Sequence, residues 1–122
     1  MAGALVDADV LIDLLRGDRS GLERLDRAAS GGSRCLSVLT AAELRAGRGG
    51  DHPAVGQLIA DFVVLPLDLG SAELGGRLRR QYGPSHGTGL VDGLLAAIAI
   101  TRGLVLVTDN RRHFPMGELD LG

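Results

Sequence analysis

Gly3-Ala4-Leu5-Val6-Asp7-Ala8-Asp9-Val10-Leu11-Ile12-Asp13-Leu14-Leu15 opens the readable part of the chain. Its first four residues form a short apolar run that stops at Asp7, and from Val10 the apolar residues recur with helical spacing as far as Gly17. The stretch reads as a strand that passes through an acid into a helix. The far end repeats these elements in the opposite order, with a helix over residues 90–101, the strand-like run Leu104-Val105-Leu106-Val107, and then Asp109. The same alternation fills the space between.

Residues 20–29 read as a second helix with Leu22 and Leu25 on one face, Ser20 and Glu23 spaced as a capping box, and Gly31-Gly32 at its end. Residues 34–39 form a second strand. Thr40-Ala41-Ala42-Glu43-Leu44-Arg45 begins another helix, which Gly47, Gly49 and Gly50 terminate. Residues 53–61 are helical. Phe62-Val63-Val64-Leu65-Pro66-Leu67 is a strand that ends early or lies at a sheet edge, because Pro66 removes a ladder donor. An amphipathic helix over 71–82, a loop over 83–89 and a short last strand over 119–121 complete the pattern. Strands alternating with helices through short connections imply an α/β fold. The expected architecture is one domain over residues 1–122, a three-layer α/β/α sandwich around a mostly parallel sheet.

The 122 residues are 45% hydrophobic and 23% charged, enough to bury a core and without the bias of a disordered chain. With two Phe, one Tyr and no Trp, that core is aliphatic, and RNA binding by rows of stacked aromatics is disfavoured. All 13 basic residues are Arg. The lack of Lys excludes the Walker A phosphate loop, Schiff-base chemistry and lysine general bases. A net charge of −2 gives no global positive field, so contact with a polyanion has to come from a local arginine patch. Cys35, the one cysteine, reads as a buried small hydrophobe in a reducing compartment. The N-terminus lacks the features of a signal peptide, and the most apolar stretch carries Asp92 and Arg102, so no membrane span is expected and the cytoplasm is the expected location.

In an open parallel sheet the ligand site lies at the carboxyl ends of the strands, near the point where strand order reverses. Asp7 and Asp109 fall just past two such ends, and Glu43 and Asp92 fall in the first turns of helices that start on that same edge. Topology thus directs four acids to one place. Each has a structural explanation as well: Thr40 and Glu43 are spaced as a capping box, and Asp7 and Asp109 suit turns. Asp92 is the only charge between Leu90 and Thr101, in a helix apolar nearly all round and therefore expected to be deeply packed, where a lone charge is costly. Converging carboxylates repel, and a divalent cation removes the conflict; an all-oxygen set suits Mg2+ or Mn2+, whereas zinc wants His or Cys. His52, His86 and His113 form no paired metal motif and read as surface or loop residues, the last two near the pocket mouth.

These residues resemble the PIN domain, in particular the VapC-type ribonuclease toxins of bacterial toxin–antitoxin pairs. The likeness rests on residues 5–12, 39–44, 90–97 and the run Leu106-Val107-Thr108-Asp109-Asn110 through Phe114, and covers nearly the whole chain. It implies an acidic quartet that cuts RNA with Mg2+ or Mn2+. Asp7 and Asp92 would be the metal ligands, and Glu43 and Asp109 would complete the pocket directly or through water. The resemblance also implies a homodimer and a small antitoxin partner whose tail enters the acidic pocket. Arg45, Arg48, Arg111 and Arg112 are candidates for phosphate contacts. Two departures stand out. Asp9 occupies a position where many members carry Asn, and is either a fifth acid or a helix N-cap; His113 stands where an acid often precedes the aromatic. Which of Asp9, Asp109 and Asn110 completes the site is left open.

Asp7-x-Asp9 is also similar to the paired aspartates of haloacid-dehalogenase-type phosphohydrolases, which would make Asp7 a covalent nucleophile. Those enzymes need a basic residue beside the phosphoaspartate and a longer chain with a cap. A receiver-type signalling module needs a lysine that this chain lacks. A PIN fold that binds without cutting is disfavoured by the intact set of acids.

Overall fold

A computed structural model of the protein describes residues 3–122. Four strands, β1 (Gly3–Val6), β2 (Ser33–Ser37), β3 (Val63–Leu65) and β4 (Val105–Val107), form one sheet in the order β3-β2-β1-β4. Every pairing is parallel. Helices α1 (Ala8–Leu15) and α2 (Ser20–Ala29) connect β1 to β2, and α3 (Val38–Ala46) and α4 (Pro53–Ala60) connect β2 to β3. Helices α5 (Leu69–His86) and α6 (Leu90–Arg102) then carry the chain to β4, on the other side of β1.

Because successive residues of a strand face opposite ways, the sheet feeds two cores. Leu5, Cys35 and Leu106 pack with α5 and α6. Ala4, Val6, Leu36 and Val107 pack with α1 to α4. The result is the three-layer α/β/α sandwich expected from the alternation of elements. β1, at the centre, is buried along its whole length, which is why its sequence is a continuous apolar run rather than an alternating one. The chain steps outward from β1 to β3 on one face and returns through the other to β4. The reversal therefore lies between β1 and β4, and both strands end at the same edge.

One close contact sets the geometry of the α5–α6 layer. A Cβ on Gly93 would come within 2.4 Å of the Gly75 carbonyl oxygen, and one on Gly75 within 2.8 Å of Leu94 Cα. The two helices cross backbone against backbone. Asp92, one residue before this crossing, is held at a fixed height above the sheet.

Several local expectations are corrected. Ser20 does not cap α2: Asp18 Oδ1 accepts from both the Ser20 amide and its hydroxyl, at 3.0 and 2.8 Å, so the Ser20–Glu23 capping box does not form. β2 covers 33–37 rather than 34–39, because the Ser37 hydroxyl accepts from the Thr40 amide at 3.1 Å and starts α3 at Val38, two residues earlier. The Thr40–Glu43 capping box is thereby excluded, and Glu43 stands in the second turn of α3 instead of the first. Residues 83–86 are not loop. α5 begins at the Asp68 cap, runs through Pro84, and closes on Gly87, whose left-handed φ of 71° and amide bond to the Gly83 carbonyl make it the C-cap. Packing against α6 along its length holds α5 helical where Gly83-Pro84 alone reads as a break. Residues 119–121 contribute a single bridge, Leu121 to Leu106, rather than a strand. As expected, β3 stops before Pro66 and lies at the sheet edge, and Cys35 is buried, which pushes its thiol pKa up.

Candidate active site

Asp7 follows β1 directly and is also the N-cap of α1, so strand end and helix start coincide in one residue. Its Oδ1 accepts from the Ala8 amide at 2.8 Å, and its Oδ2 from the Thr108 hydroxyl at 2.9 Å. The Asp7 amide donates to the Val107 carbonyl, which ties the carboxylate to the end of β4. The residue is 9% exposed. Burial, and then the negative charge of Asp9, push its pKa from 3.8 up to about 6, against the pull of the Thr108 and Ala8 hydrogen bonds. A carboxylate in such surroundings keeps its proton to a higher pH than usual, and a nearby cation would favour its charged form.

Asp92 occupies the third position of α6, where its Oδ2 accepts from the Gly89 amide at 2.9 Å. That bond satisfies a helix N-terminal donor and places negative charge at the positive end of the helix dipole. The helix is deeply packed as expected, buried from Gly93 to Ala99, but the Asp92 side chain in its first turn stays 22% exposed. His113 Nδ1 stands 3.1 Å from the same Oδ2 and 2.7 Å from the Asn110 side-chain amide. A carboxylate only accepts, so Nδ1–H donates to Asp92, and the Asn110 amide, turned to present its oxygen, shares that single proton in a bifurcated bond. The Thr88 hydroxyl donates to the His113 carbonyl at 2.7 Å and fastens this segment to the start of α6.

Glu43 stays open to solvent, yet partial burial, and then the charges of Asp92 and Asp9, raise its pKa. Asp9 is not the N-cap. Its Oδ1 accepts from the Val10 amide at 2.7 Å and its Oδ2 from the Asp109 amide at 3.2 Å, and its pKa is raised by burial with Asp109 and Asp13 adding repulsion. Asp109 lies at the same edge, but its 44% exposed carboxylate is paired with Arg24 of α2. Asp7, Asp9, Glu43 and Asp92 thus form a mutually repelling group, and Asp109 joins it through its backbone amide. Of the proposed phosphate contacts, Arg45 is occupied with the Gly50 carbonyl at 3.0 Å and Arg111 with the Gly122 carbonyl at 2.9 Å.

Two residues of this site escaped the reading of the sequence as site residues. Thr108 carries no charge, and only its place between a strand end and Asp109 could have marked it. His113 was placed near the mouth, and its bond to Asp92 depends on the single turn of 3-10 helix over Arg111–His113 that folds it back.

The donor set is oxygen, with one imidazole as an outer partner. Among the described residues, no three His, Cys, Asp or Glu side chains cluster tightly enough to form a closed metal cage. Mg2+ does not require one, since it is commonly held by one or two carboxylates, with water and phosphate oxygens filling the shell. The residues present fit such an ion.

Comparison with known proteins places the chain in a family. The PIN domain family profile matches residues 4–118. Ribonuclease VapC10 of Mycobacterium tuberculosis is 41% identical over 116 residues, covering 93% of this chain and 87% of that protein. Ribonuclease VapC19 of the same organism is 36% identical over 115 residues, covering 92% of each. Among solved structures, the DNA-bound VapBC complex of Salmonella typhimurium superposes with a TM-score of 0.79 at 24% identity, covering 100% of this chain and 98% of that one. VapBC2 of Rickettsia felis bound to promoter DNA gives 0.80 at 19%, with 100% and 98% covered. At those identities the likeness is one of fold. The profile match and the identity to two full-length relatives are enough to assign the chain to the PIN-domain family, in its VapC group.

Proposed function

We propose that this chain is a divalent-metal-dependent endoribonuclease, the toxin of a toxin–antitoxin pair, which hydrolyses RNA phosphodiesters at Asp7, Glu43, Asp92 and Asp109. The observation that carries the reading is Asp7: a nearly buried carboxylate at the reversal of a parallel sheet, its pKa raised to about 6 by burial and by Asp9. Perturbed carboxylates gathered at such an edge mark a functional site. The names of the two mycobacterial relatives support ribonuclease activity, and the VapBC complexes among the structural relatives support an antitoxin partner.

Asp7 and Asp92 would hold Mg2+ or Mn2+, with Glu43 reaching it directly or through water; Asp109 would do so only by leaving its partner Arg24. When bound, such an ion neutralises the carboxylates, polarises a phosphoryl oxygen and acidifies water. The chain supplies the rest. Thr108 and the Ala8 amide lock both oxygens of Asp7 in place, and Gly89 with His113 orients Oδ2 of Asp92. Outer partners of this kind fix a ligand's direction and are commonly worth 10- to 100-fold. Glu43, with its raised pKa and open side, is suited to take a proton from the attacking water at its carboxylate. Asp9 adds a fifth negative charge beside Asp7 and tightens the demand for a cation.

The reading extends to a homodimer, to residues 1–122 acting as one nuclease unit, and to a place in the cytoplasm, where RNA is met. Among the described residues no helix is long and apolar enough to cross a membrane. The direct test incubates purified protein with a mixed tRNA and rRNA pool in Mg2+, Mn2+ or EDTA, beside Asp92→Asn purified identically. Metal-dependent fragments from the wild type alone are expected. Equal fragments from both proteins would assign the cutting to a contaminant, and no cutting by antitoxin-free wild type would overturn the reading.

A further inference from the structure

A cavity of about 460 Å3 opens beside Glu43, between the end of α1, the α3–α4 connection and the first turn of α4. Its walls are apolar, from Ile12 and Leu15 on α1 and Val55 on α4. Arg16 and Arg48 line it as well, and among the described residues neither guanidinium has an ion-pair partner. The connection that carries Arg48 is shaped in advance: Arg45 holds the Gly50 carbonyl, and Gly49 takes a φ of 78°. His52, also in the lining, caps α4 by accepting the Ala54 amide on Nδ1 at 3.0 Å. With Nδ1 accepting, the neutral ring carries its proton on Nε2 and presents a donor.

The cavity therefore combines apolar walls, two unpaired cations and a fixed N–H donor, and shares Glu43 with the acidic group. Its volume falls in the range of small-molecule sites, about 300 to 1,000 Å3. We propose that it is a nucleotide subsite: it receives one unstacked nucleotide of the RNA strand next to the scissile phosphate. Arg16 and Arg48 hold the flanking phosphate or the base edge, and the aliphatic walls cover the face of the base. The assignment rests on the ribonuclease reading and names the part of the substrate that meets this surface. RNA is favoured over a protein segment because a strand whose phosphate lies at the carboxylates must continue past Glu43, the residue common to both places. Apart from Glu43 the polar side chains of the lining, Arg16, Arg48 and His52, present donors, which favours an acceptor-rich base edge such as guanine O6 and N7. This arrangement reads a single splayed base without aromatic stacking, which agrees with a chain poor in aromatic residues.

The test measures binding apart from cutting. Fluorescence anisotropy of a labelled, randomised single-stranded RNA ten-mer in Mg2+ would compare Asp92→Asn with the same protein carrying Arg16→Ala and Arg48→Ala. A control of equal charge change carries Arg77→Ala and Arg80→Ala on α5. The pocket pair is expected to weaken binding about tenfold or more and to reduce the salt slope by about 0.7, the value for one phosphate on a single strand. A second variant, Val55→Trp in the otherwise native chain, fills the cavity. It is expected to erase base preference at one position beside the cut and to weaken cutting of the preferred sequence to the level of the others. Binding by the pocket pair equal to that of the α5 control, or an unchanged preference in a folded Val55→Trp, overturns the subsite and leaves the cavity to a protein segment. If the native chain cuts no RNA, the ribonuclease reading fails separately, and the anisotropy comparison still decides whether RNA occupies this cavity.

Discussion

The inner wall of the acidic site and its outer rim are built from the same residue type by opposite means. On the inner wall, Asp7 is 9% exposed with both oxygens bonded to the protein, and Asp92 is fixed by Gly89 and by the Gly75–Gly93 helix crossing. On the rim, Glu43 is open to water, and Asp109, 44% exposed, faces Arg24 instead of the other acids. The inner pair is placed by backbone: a strand end in one case, a helix start in the other. The rim pair is placed by side chains that have room to move.

The largest effect that separates the two is on catalysis. Asp92→Asn keeps the size and the Gly89 contact but removes a charge of the wall, so cleavage should fall by more than about 100-fold, beyond what an outer partner contributes. Thermal unfolding should stay within a few degrees of the wild type. Residual cleavage within tenfold of the wild type would remove Asp92 from the wall.

Much of this contrast was legible in the sequence, and the remainder was not for physical reasons. Strand ends and the acids beyond them follow from apolar runs and chain direction, so Asp7 and Asp109 could be brought to one edge. Which caps form depends on competition among neighbouring hydroxyls and carboxylates: Ser37 displaced Thr40, and Asp18 displaced Ser20. That local contest moved Glu43 by a turn. The extension of α5 through Pro84 depends on its packing along α6, a tertiary effect no local propensity contains. Arg24, 85 residues from Asp109 along the chain, has no local pattern that announces their pairing.

Acid titration sharpens the wall next. The folded-state pKa of Asp7, about 6, lies above its unfolded value of 3.8, so the folded protein binds that proton more tightly. In EDTA this contribution to stability is complete below about pH 4 and is lost as pH rises through 6, a change of about 3 kcal/mol. Asp9 and Glu43 act in the same direction. Urea unfolding of wild type and Asp7→Asn from pH 4 to 8 should show the wild type losing ground to the variant as pH rises. Millimolar Mg2+ at pH 8 should restore it, and raise the melting temperature of the wild type more than that of Asp7→Asn. Parallel curves in EDTA would mean that Asp7 is not strained by its charge.

Backbone placement of Asp92 is tested by Gly93→Ala. The new methyl would meet the Gly75 carbonyl oxygen at 2.4 Å, and backbone cannot yield as a side-chain tip does. A loss of about 1 to 3 kcal/mol in urea unfolding is expected, typical of overpacking. Cleavage should fall with it in the folded variant, because α6 carries Asp92. Gly76→Ala on α5, where a Cβ meets nothing within 4 Å, should be neutral or slightly stabilising.

The smallest expected effect lies on the rim, and it decides the role of Asp109. Its carboxylate is balanced by Arg24, while its amide, which no side-chain substitution removes, donates to Asp9. Asp109→Asn keeps that amide and gives up an exposed ion pair worth about 0.2 to 1 kcal/mol. Urea unfolding should shift by no more than this, and single-turnover cleavage should fall less than about tenfold, against more than a hundredfold for Asp92→Asn. The difference follows from what each group can reach, since Asp92 points along the strand edge and Asp109 points away to α2. If Asp109→Asn proves as inactive as Asp92→Asn, the carboxylate must leave Arg24 to enter the site. Arg24→Met, which frees Asp109 and removes the buried, unpartnered Nε of Arg24, should then strengthen Mg2+ binding. Without such a move, Arg24→Met leaves Mg2+ affinity unchanged, and the rim acid acts through its backbone alone.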